Sequence, residues 1–394
     1  MSVDVTVFRG GRRLIGASLG LALVGVALLI AGAILDPRRF FFSYLAAYAY
    51  AVSVAVGALI FLMICHAMRA GWPVAVRRLL EAIVGALPLL AVLFVPLLLG
   101  LGSLYPWLDP ASIPDEHVRE LVHHKEPYLN LPFFLIRTAL YFAIWIGAAA
   151  LLRRWSLRSD EDAALDVGVR PQALSAGALP LVGLALSFAA FDWLMSLDPT
   201  WVSTMYPLYI FAGGFVSAIA LLTVLTFAAD RAGLLPGISA SHYYALGRLL
   251  FAFTIFWAYV AYFQLMLIWV ANLPGEVQFY VRRSGGPWGA VSVVLAFTQF
   301  VIPFFVLLSY RLKRSPAILA AVSAWILAAH YIDVHWLVLP ELARGGFPYH
   351  VLDVGALLAI SGASVAFAAL RLRGRRVLPI NDPGLARALR YESV

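Results

Sequence analysis

Apolar stretches of about 20 residues or more recur along the whole chain, separated by short segments that gather most of the Arg, Lys, Asp and Glu. A run of that length crosses the hydrocarbon of a bilayer as a helix. The pattern predicts spans at about 14–35, 42–66, 79–102, 132–152, 173–196, 205–228, 246–271, 287–310, 317–338 and 350–371. The predicted fold class is therefore an all-α integral membrane protein with about ten transmembrane helices. Spans two to five and six to nine form two groups of four with the same orientation. This suggests two four-helix bundles, about 42–196 and 205–338, flanked by the first and last helices. Residues 1–394 form a single polytopic domain on this reading, with a basic cytoplasmic tail at 372–394. No sequence repeat is visible.

Composition agrees with a bilayer environment. Hydrophobic residues make up 62% and charged residues 13% of the 394, and mean hydropathy is +0.87; soluble domains carry about 25% charged residues. The net charge of +8 does not indicate nucleic-acid binding, because the basic residues collect at span ends and not along one polar face. On one side of the predicted membrane lie Arg12, Arg13, Arg69, Arg77, Arg78, Arg153, Arg154, Arg248, Arg311, Arg371 and the tail arginines. On the other lie the fewer Arg38, Arg39, Arg119, Lys125, Arg282, Arg283 and Arg344. The positive-inside rule puts both termini in the cytoplasm. Arg9 to Arg13 precede an apolar run too long for a cleavable signal core. The single cysteine, Cys65, can build neither an internal disulfide nor a cysteine-held cluster. Any redox metal then belongs to a partner.

Ionisable residues inside hydrocarbon cost about 2.5–3.5 kcal/mol each on insertion scales and mark function by default. The densest group is His330, Asp333 and His335 in the ninth span. His330 and Asp333 are three apart and share a helix face; His335 points elsewhere. A histidine beside a carboxylate can relay a proton or serve a quinol site. Bracing between helices is the alternative. Asp192, Asp353 and Arg137 lie at a similar depth and form a candidate outer polar cluster for binding a quinone. A buried guanidinium needs a counter-charge, and Asp192 and Asp333 are the candidates by depth. Tyr259, Tyr262, Gln264, Met266 and Trp269 line the seventh span, as packing or as a quinone slot. His66, Glu81, His242 and Arg248 stand at the inner side, at a proton-path mouth or as interfacial residues. The acidic, Pro-bearing loop at about 103–131 is a docking segment or a plain solvated loop.

Four stretches together carry a family resemblance: Lys125–Arg137 (KEPYLNLPFFLIR), Phe191–Trp201 (FDWLMSLDPTW), Gly247–Tyr259 (GRLLFAFTIFWAY) and Trp269–Glu276 (WVANLPGE). They resemble the second large membrane component of bacterial alternative complex III, a quinol:electron-acceptor oxidoreductase, within the polysulfide-reductase-like (NrfD-like) superfamily. The resemblance covers about residues 40–371. It implies ten helices in two bundles, no cofactor bound by this chain alone, and quinone or quinol as a possible ligand. The implied location is the bacterial inner membrane. The implied partners are a sister NrfD-like membrane subunit, an iron–sulfur subunit and multihaem cytochrome c subunits. The resemblance implies a share in quinone binding, in a transmembrane proton path, or in both. From the residues alone, a secondary transporter and a purely structural anchor remain as rivals. A transporter would show broken helices in corresponding positions of its halves.

Overall fold

The computed structural model describes residues 7–161, 168–342 and 349–393; Arg344, one of the charges placed on the outer side above, lies outside them. Among the described residues, ten helices are long and apolar enough to cross a membrane. They are α1 (Arg12–Leu35), α2 (Pro37–Ala67), α3 (Arg77–Leu99), α4 (Leu131–Arg158), α5 (Val169–Leu197), α6 (Tyr206–Arg231), α7 (Ala240–Ala271), α8 (Gly286–Leu308), α9 (Pro316–Glu341) and α10 (Val351–Leu372). The chain is an all-α, multi-pass membrane protein.

α2 and α6 form the axis of the molecule. Of their apolar windows, 78% and 72% are buried inside the protein, against at most half for each of the others. α2 packs on α3 and α5, and α5 on α4. α6 packs on α7 and α9, and α7 and α9 on α8. Two four-helix bundles thus meet along α2 and α6. α1 and α10 pack chiefly on each other, and α10 docks the pair on α2. The outer faces of the peripheral helices expose large apolar side chains, among them Leu23, Ile136, Leu184, Trp269 and Phe305, the surface that hydrocarbon solvates without cost.

Close approach at the axis rests on small residues. A Cβ built on Gly214 of α6 would stand 2.6 Å from the Ser53 carbonyl oxygen of α2. With no side chain there, the two backbones come into direct contact.

Two helices are interrupted, and the breaks have local causes. α3 is split into short helical pieces around Pro88 and Pro96, which lack the N–H that continues the ladder. Two tyrosines of α2 satisfy carbonyls left without their i+4 donors where the ladder breaks at Leu93 and Phe94. Tyr44 donates to the Leu93 carbonyl (2.8 Å) and Tyr48 to that of Leu90 (2.9 Å). α8 contains a π-helical turn, Ala296–Val301, just before Pro303, and Trp325 of α9 donates to the Thr298 carbonyl there (2.8 Å). In hydrocarbon such groups must find protein partners. The breaks fall in the second helix of one bundle and the third of the other, so they do not correspond between halves.

The ends of the helices define two faces. The basic face carries Arg12, Arg77, Arg78, Arg153, Arg371 and the chain after Leu372, which folds across it. His242 bonds the Ala388 carbonyl there (2.9 Å), and Asn381 donates to the Ser159 carbonyl (2.8 Å). The opposite, loop face carries the segment between α3 and α4. This segment is built from short 3-10 turns and a helix, Glu116–Lys125, capped by Asp115. Trp107 anchors it in a buried position and donates to Ser196 (3.3 Å).

Candidate functional site: two histidine–carboxylate pairs and a loop-face cavity

The six polar residues singled out from the sequence are all nine-tenths or more buried. They fall into three separate groups.

The first group is His330–Asp333, between α9, α2 and α6. Ser53 donates its hydroxyl hydrogen to the Tyr50 carbonyl (2.9 Å). It therefore accepts from His330 Nε2 (3.1 Å). This leaves His330 Nδ1 facing Asp333 Oδ2 at 3.5 Å, with no hydrogen-bond partner. Asp333 also accepts from the Tyr209 hydroxyl (2.5 Å) and from Trp257 Nε1 (3.3 Å). Gly213 of α6 leaves room for the imidazole: a Cβ there would lie 2.7 Å from His330 Cε1.

The second group is His335–Asp353, between α9, α10 and the start of α2. His335 Nδ1 donates to the Tyr331 carbonyl (2.9 Å), so Nε2 faces Asp353 Oδ1 at 3.6 Å, again without a hydrogen-bond partner. Asp353 is already served by three donors. Arg39 Nη2 (2.6 Å) and the His350 backbone N–H (2.7 Å) reach Oδ2, and Ser43 Oγ (2.6 Å) reaches Oδ1. The sequence pattern places Arg39 among the loop charges; the structure buries it in the first turn of α2 against this carboxylate.

The two pairs share a design and differ in charge. In each, one imidazole nitrogen is committed as a donor and the other points its lone pair at a carboxylate oxygen. Adding one proton turns that contact into a charge-assisted hydrogen bond. Arg39 already balances Asp353. Among the described residues, Asp333 has no cationic partner but His330. An unbalanced carboxylate at that depth is expensive, so a proton taken up by the first pair would supply the counter-charge that Asp333 lacks. Aromatic rings join the pairs: Tyr50 lies 5.5 Å from His330 and 5.3 Å from Tyr331, and Tyr331 lies 4.2 Å from His335.

The third group is Arg137–Asp192, inside the first bundle. Arg137 Nε and Nη2 grip both carboxylate oxygens at 2.8 and 2.9 Å, and Tyr141 adds a third donor at 2.7 Å. Of the two acids at matching depth, Asp192 is the one that pairs. Nη1 of the same guanidinium donates to the Tyr128 carbonyl (2.9 Å), and its plane lies 3.9 Å over the Tyr128 ring. The outer acids and Arg137 are therefore not one cluster. Asp353 belongs to α10 and α2, and Asp192 to α4 and α5.

A cavity of about 470 Å³ opens at the loop face between α5, α6 and α7. Phe188, Phe191, Met195, Leu267 and Ile268 give it an apolar lining. Among the buried side-chain polar atoms of its lining residues, the Tyr128 hydroxyl and Gln264 Oε1 lack hydrogen-bond partners, and Ser203, Thr204 and Glu276 add further polar groups to the walls. Burial, reinforced by Asp192, pushes the Tyr128 phenol up, which keeps it a donor. Gln264 lies two turns from Trp257 on α7, and Met205 at the cavity is one turn from Tyr209 on α6. The cavity lining is thus one to two helical turns along α6 and α7 from the donors that serve Asp333.

Of Tyr259, Tyr262, Gln264, Met266 and Trp269, only Gln264 lines this cavity. Tyr259, Tyr262 and Trp269 are 57%, 64% and 76% exposed on the outer surface of α7, so they do not pack in the core of this chain. The sequence gives no sign of Tyr209, Trp257 and Ser53, because one serine or aromatic among many on an apolar helix carries no periodic signal. On the basic face, Glu81 lies between Arg77 and Arg78 and accepts from Ser156 (2.5 Å). His242 caps α7 through Ser239. Asp198 pairs with Arg282 (2.5 Å), which also reaches Glu341 (2.7 Å).

A scan against protein-family models and a search of curated proteins both return no match.

Proposed function

We propose that this chain is a membrane subunit of a respiratory quinol:electron-acceptor oxidoreductase of the alternative complex III type. In this reading a quinol head group occupies the loop-face cavity, and His330–Asp333 takes up a proton as the quinol is oxidised. The observation that carries the proposal is the placement of the cavity. A flat ring with two oxygens fits a largely apolar pocket whose polar walls include a phenol donor and an amide acceptor. One helical turn from that lining along α6, and two along α7, Tyr209 and Trp257 donate to the carboxylate of a buried histidine–carboxylate pair with an open imidazole nitrogen. Three of the four stretches that carry the family resemblance supply the walls of the cavity, through Tyr128, through Phe191 and Met195, and through Glu276.

Oxidation of a quinol releases two protons and two electrons. The protons need acceptors at the ring oxygens, and in this reading Tyr209, which donates to Asp333 (2.5 Å) one helical turn from Met205 of the cavity, links the two. The electrons need a metal centre, for which this chain offers one cysteine and no cluster-binding pattern. They leave to iron–sulfur and multihaem cytochrome partners at the loop face, where the helix Glu116–Lys125 and its acidic neighbours offer a docking surface. Both chain ends lie in the cytoplasm in this reading, and the complex sits in the bacterial inner membrane.

Native purification through a tag on this chain tests the proposal. Co-purification of haem and iron–sulfur absorbance with quinol-dependent reduction of those centres is expected. A chain that purifies without redox partners, and that drives substrate uptake in proteoliposomes, would overturn it in favour of a transporter.

A further inference from the structure

On the basic face, a second cavity of about 430 Å³ lies between the end of α2, the start of α3 and the folded-back tail. Arg69, Arg77 and Arg387 line it, with His66 and a single acid, Asp382. Asp382 is fully engaged, by Arg77 Nη1 (2.6 Å) on one oxygen and the Gly384 backbone N–H (2.7 Å) on the other. Three guanidiniums thus share one committed carboxylate, and Arg69 also donates through Nε to Gln172 Oε1 (2.7 Å). Arg77 is the decisive residue. It is 7% exposed, yet its Nε and Nη2 have no hydrogen-bond partner. Glu81 does not supply one: its Oε1 lies 3.6 Å from Arg77 Nε and already accepts from Ser156. A dehydrated guanidinium with unused N–H groups carries a cost, and this one is in the cavity wall.

We infer that this cavity is a binding site for a phosphate group, presented either by an anionic phospholipid or by a free phosphate. Guanidinium forks match phosphate oxygens in geometry and charge. The three arginines approach from three elements, which suits a tetrahedral anion better than a planar carboxylate. Leu62, Pro73, Val74 and Leu80 supply an apolar side to the same cavity, as an amphiphile requires. The cavity stands where α2 ends and α3 begins, at headgroup level, and basic pockets of this kind recognise lipid phosphates. Arg387 and Asp382 belong to the tail, so an occupant ties the tail to α2 and α3. The inference is independent of the electron-transfer reading.

The test uses the full chain in a neutral detergent, with thermal unfolding followed against added dioleoylphosphatidylglycerol, dioleoylphosphatidylcholine or inorganic phosphate. Arg69 and Arg387 are exposed side chains and R69Q gives up one exposed bond, to Gln172 (2.7 Å), so R69Q/R387Q is expected to keep the fold, whereas R77Q removes a buried brace and serves only as a second reading. Phosphatidylglycerol is expected to raise Tm saturably in the wild type and phosphatidylcholine to leave it unchanged. The double variant should need at least tenfold more phosphatidylglycerol, with its Tm in phosphatidylcholine unaltered. A matching response to inorganic phosphate assigns the site to soluble phosphate; a response to the lipid alone assigns it to the headgroup. Equal responses of wild type and double variant, or no response to either anion, would overturn the inference.

Discussion

The Arg137–Asp192 pair shows how burial decides what a charge is worth. The guanidinium is bound to both carboxylate oxygens and the carboxylate is fully buried. Removing one partner strands the other in a medium that cannot solvate it, at a cost of about 3–5 kcal/mol. R137A should therefore lower Tm sharply in detergent-solubilised protein, whereas R137M/D192L should recover most of the loss. If the single and double variants unfold at the same temperature, the pair does not carry this energy. The need for a partner was legible in the sequence, because an arginine one turn inside an apolar span has few alternatives. The choice between Asp192 and Asp333 was not, since depth along a helix says nothing about which bundle a residue faces. For the same reason the sequence pattern leaves Arg39 among the loop charges. Only the packing of α10 against α2 shows that Asp353 waits for it.

At the scale of elements, the ten helices were legible because a 20-residue apolar run admits no other backbone in hydrocarbon. Their order around the axis was not, because helices apolar on every side give no stripe to orient them. The small residues at the α2–α6 contact are what set that order. Replacing Gly214 by valine puts a branched side chain where a Cβ alone would lie 2.6 Å from a backbone oxygen. That contact cannot relax by moving a side chain, so the two bundles must separate. A loss of at least about 1–3 kcal/mol is expected, read as a lower Tm. The same change at Gly183 of α5, where a Cβ meets nothing within 4 Å, should be close to neutral. Equal effects at the two positions would remove the α2–α6 contact from the account. The breaks in α3 and α8 were foreshadowed by Pro88, Pro96 and Pro303, but their repair by Tyr44, Tyr48 and Trp325 belongs to tertiary structure.

For the whole molecule, charge and geometry point the same way. The basic face gathers the arginine clusters and the folded tail, so it should lie in the cytoplasm. With Cys65 replaced by alanine, a cysteine at Ser112 should react with a membrane-impermeant maleimide from outside intact cells, and one at Ala386 should react only after lysis. The reverse pattern would invert the orientation and with it the side of proton release. The central claim is that His330–Asp333 accepts a proton from a quinol in the loop-face cavity. It is tested most directly by the rate of quinol oxidation in the natively purified complex, comparing wild type with D333N and H330Q. Both variants keep the size of the side chain and remove the proton-accepting pair. We predict at least a tenfold loss of rate in each, with the subunit composition and haem content of the complex unchanged. Wild-type rates of quinol oxidation and proton release in both variants would contradict the claim and leave the pair as a structural brace.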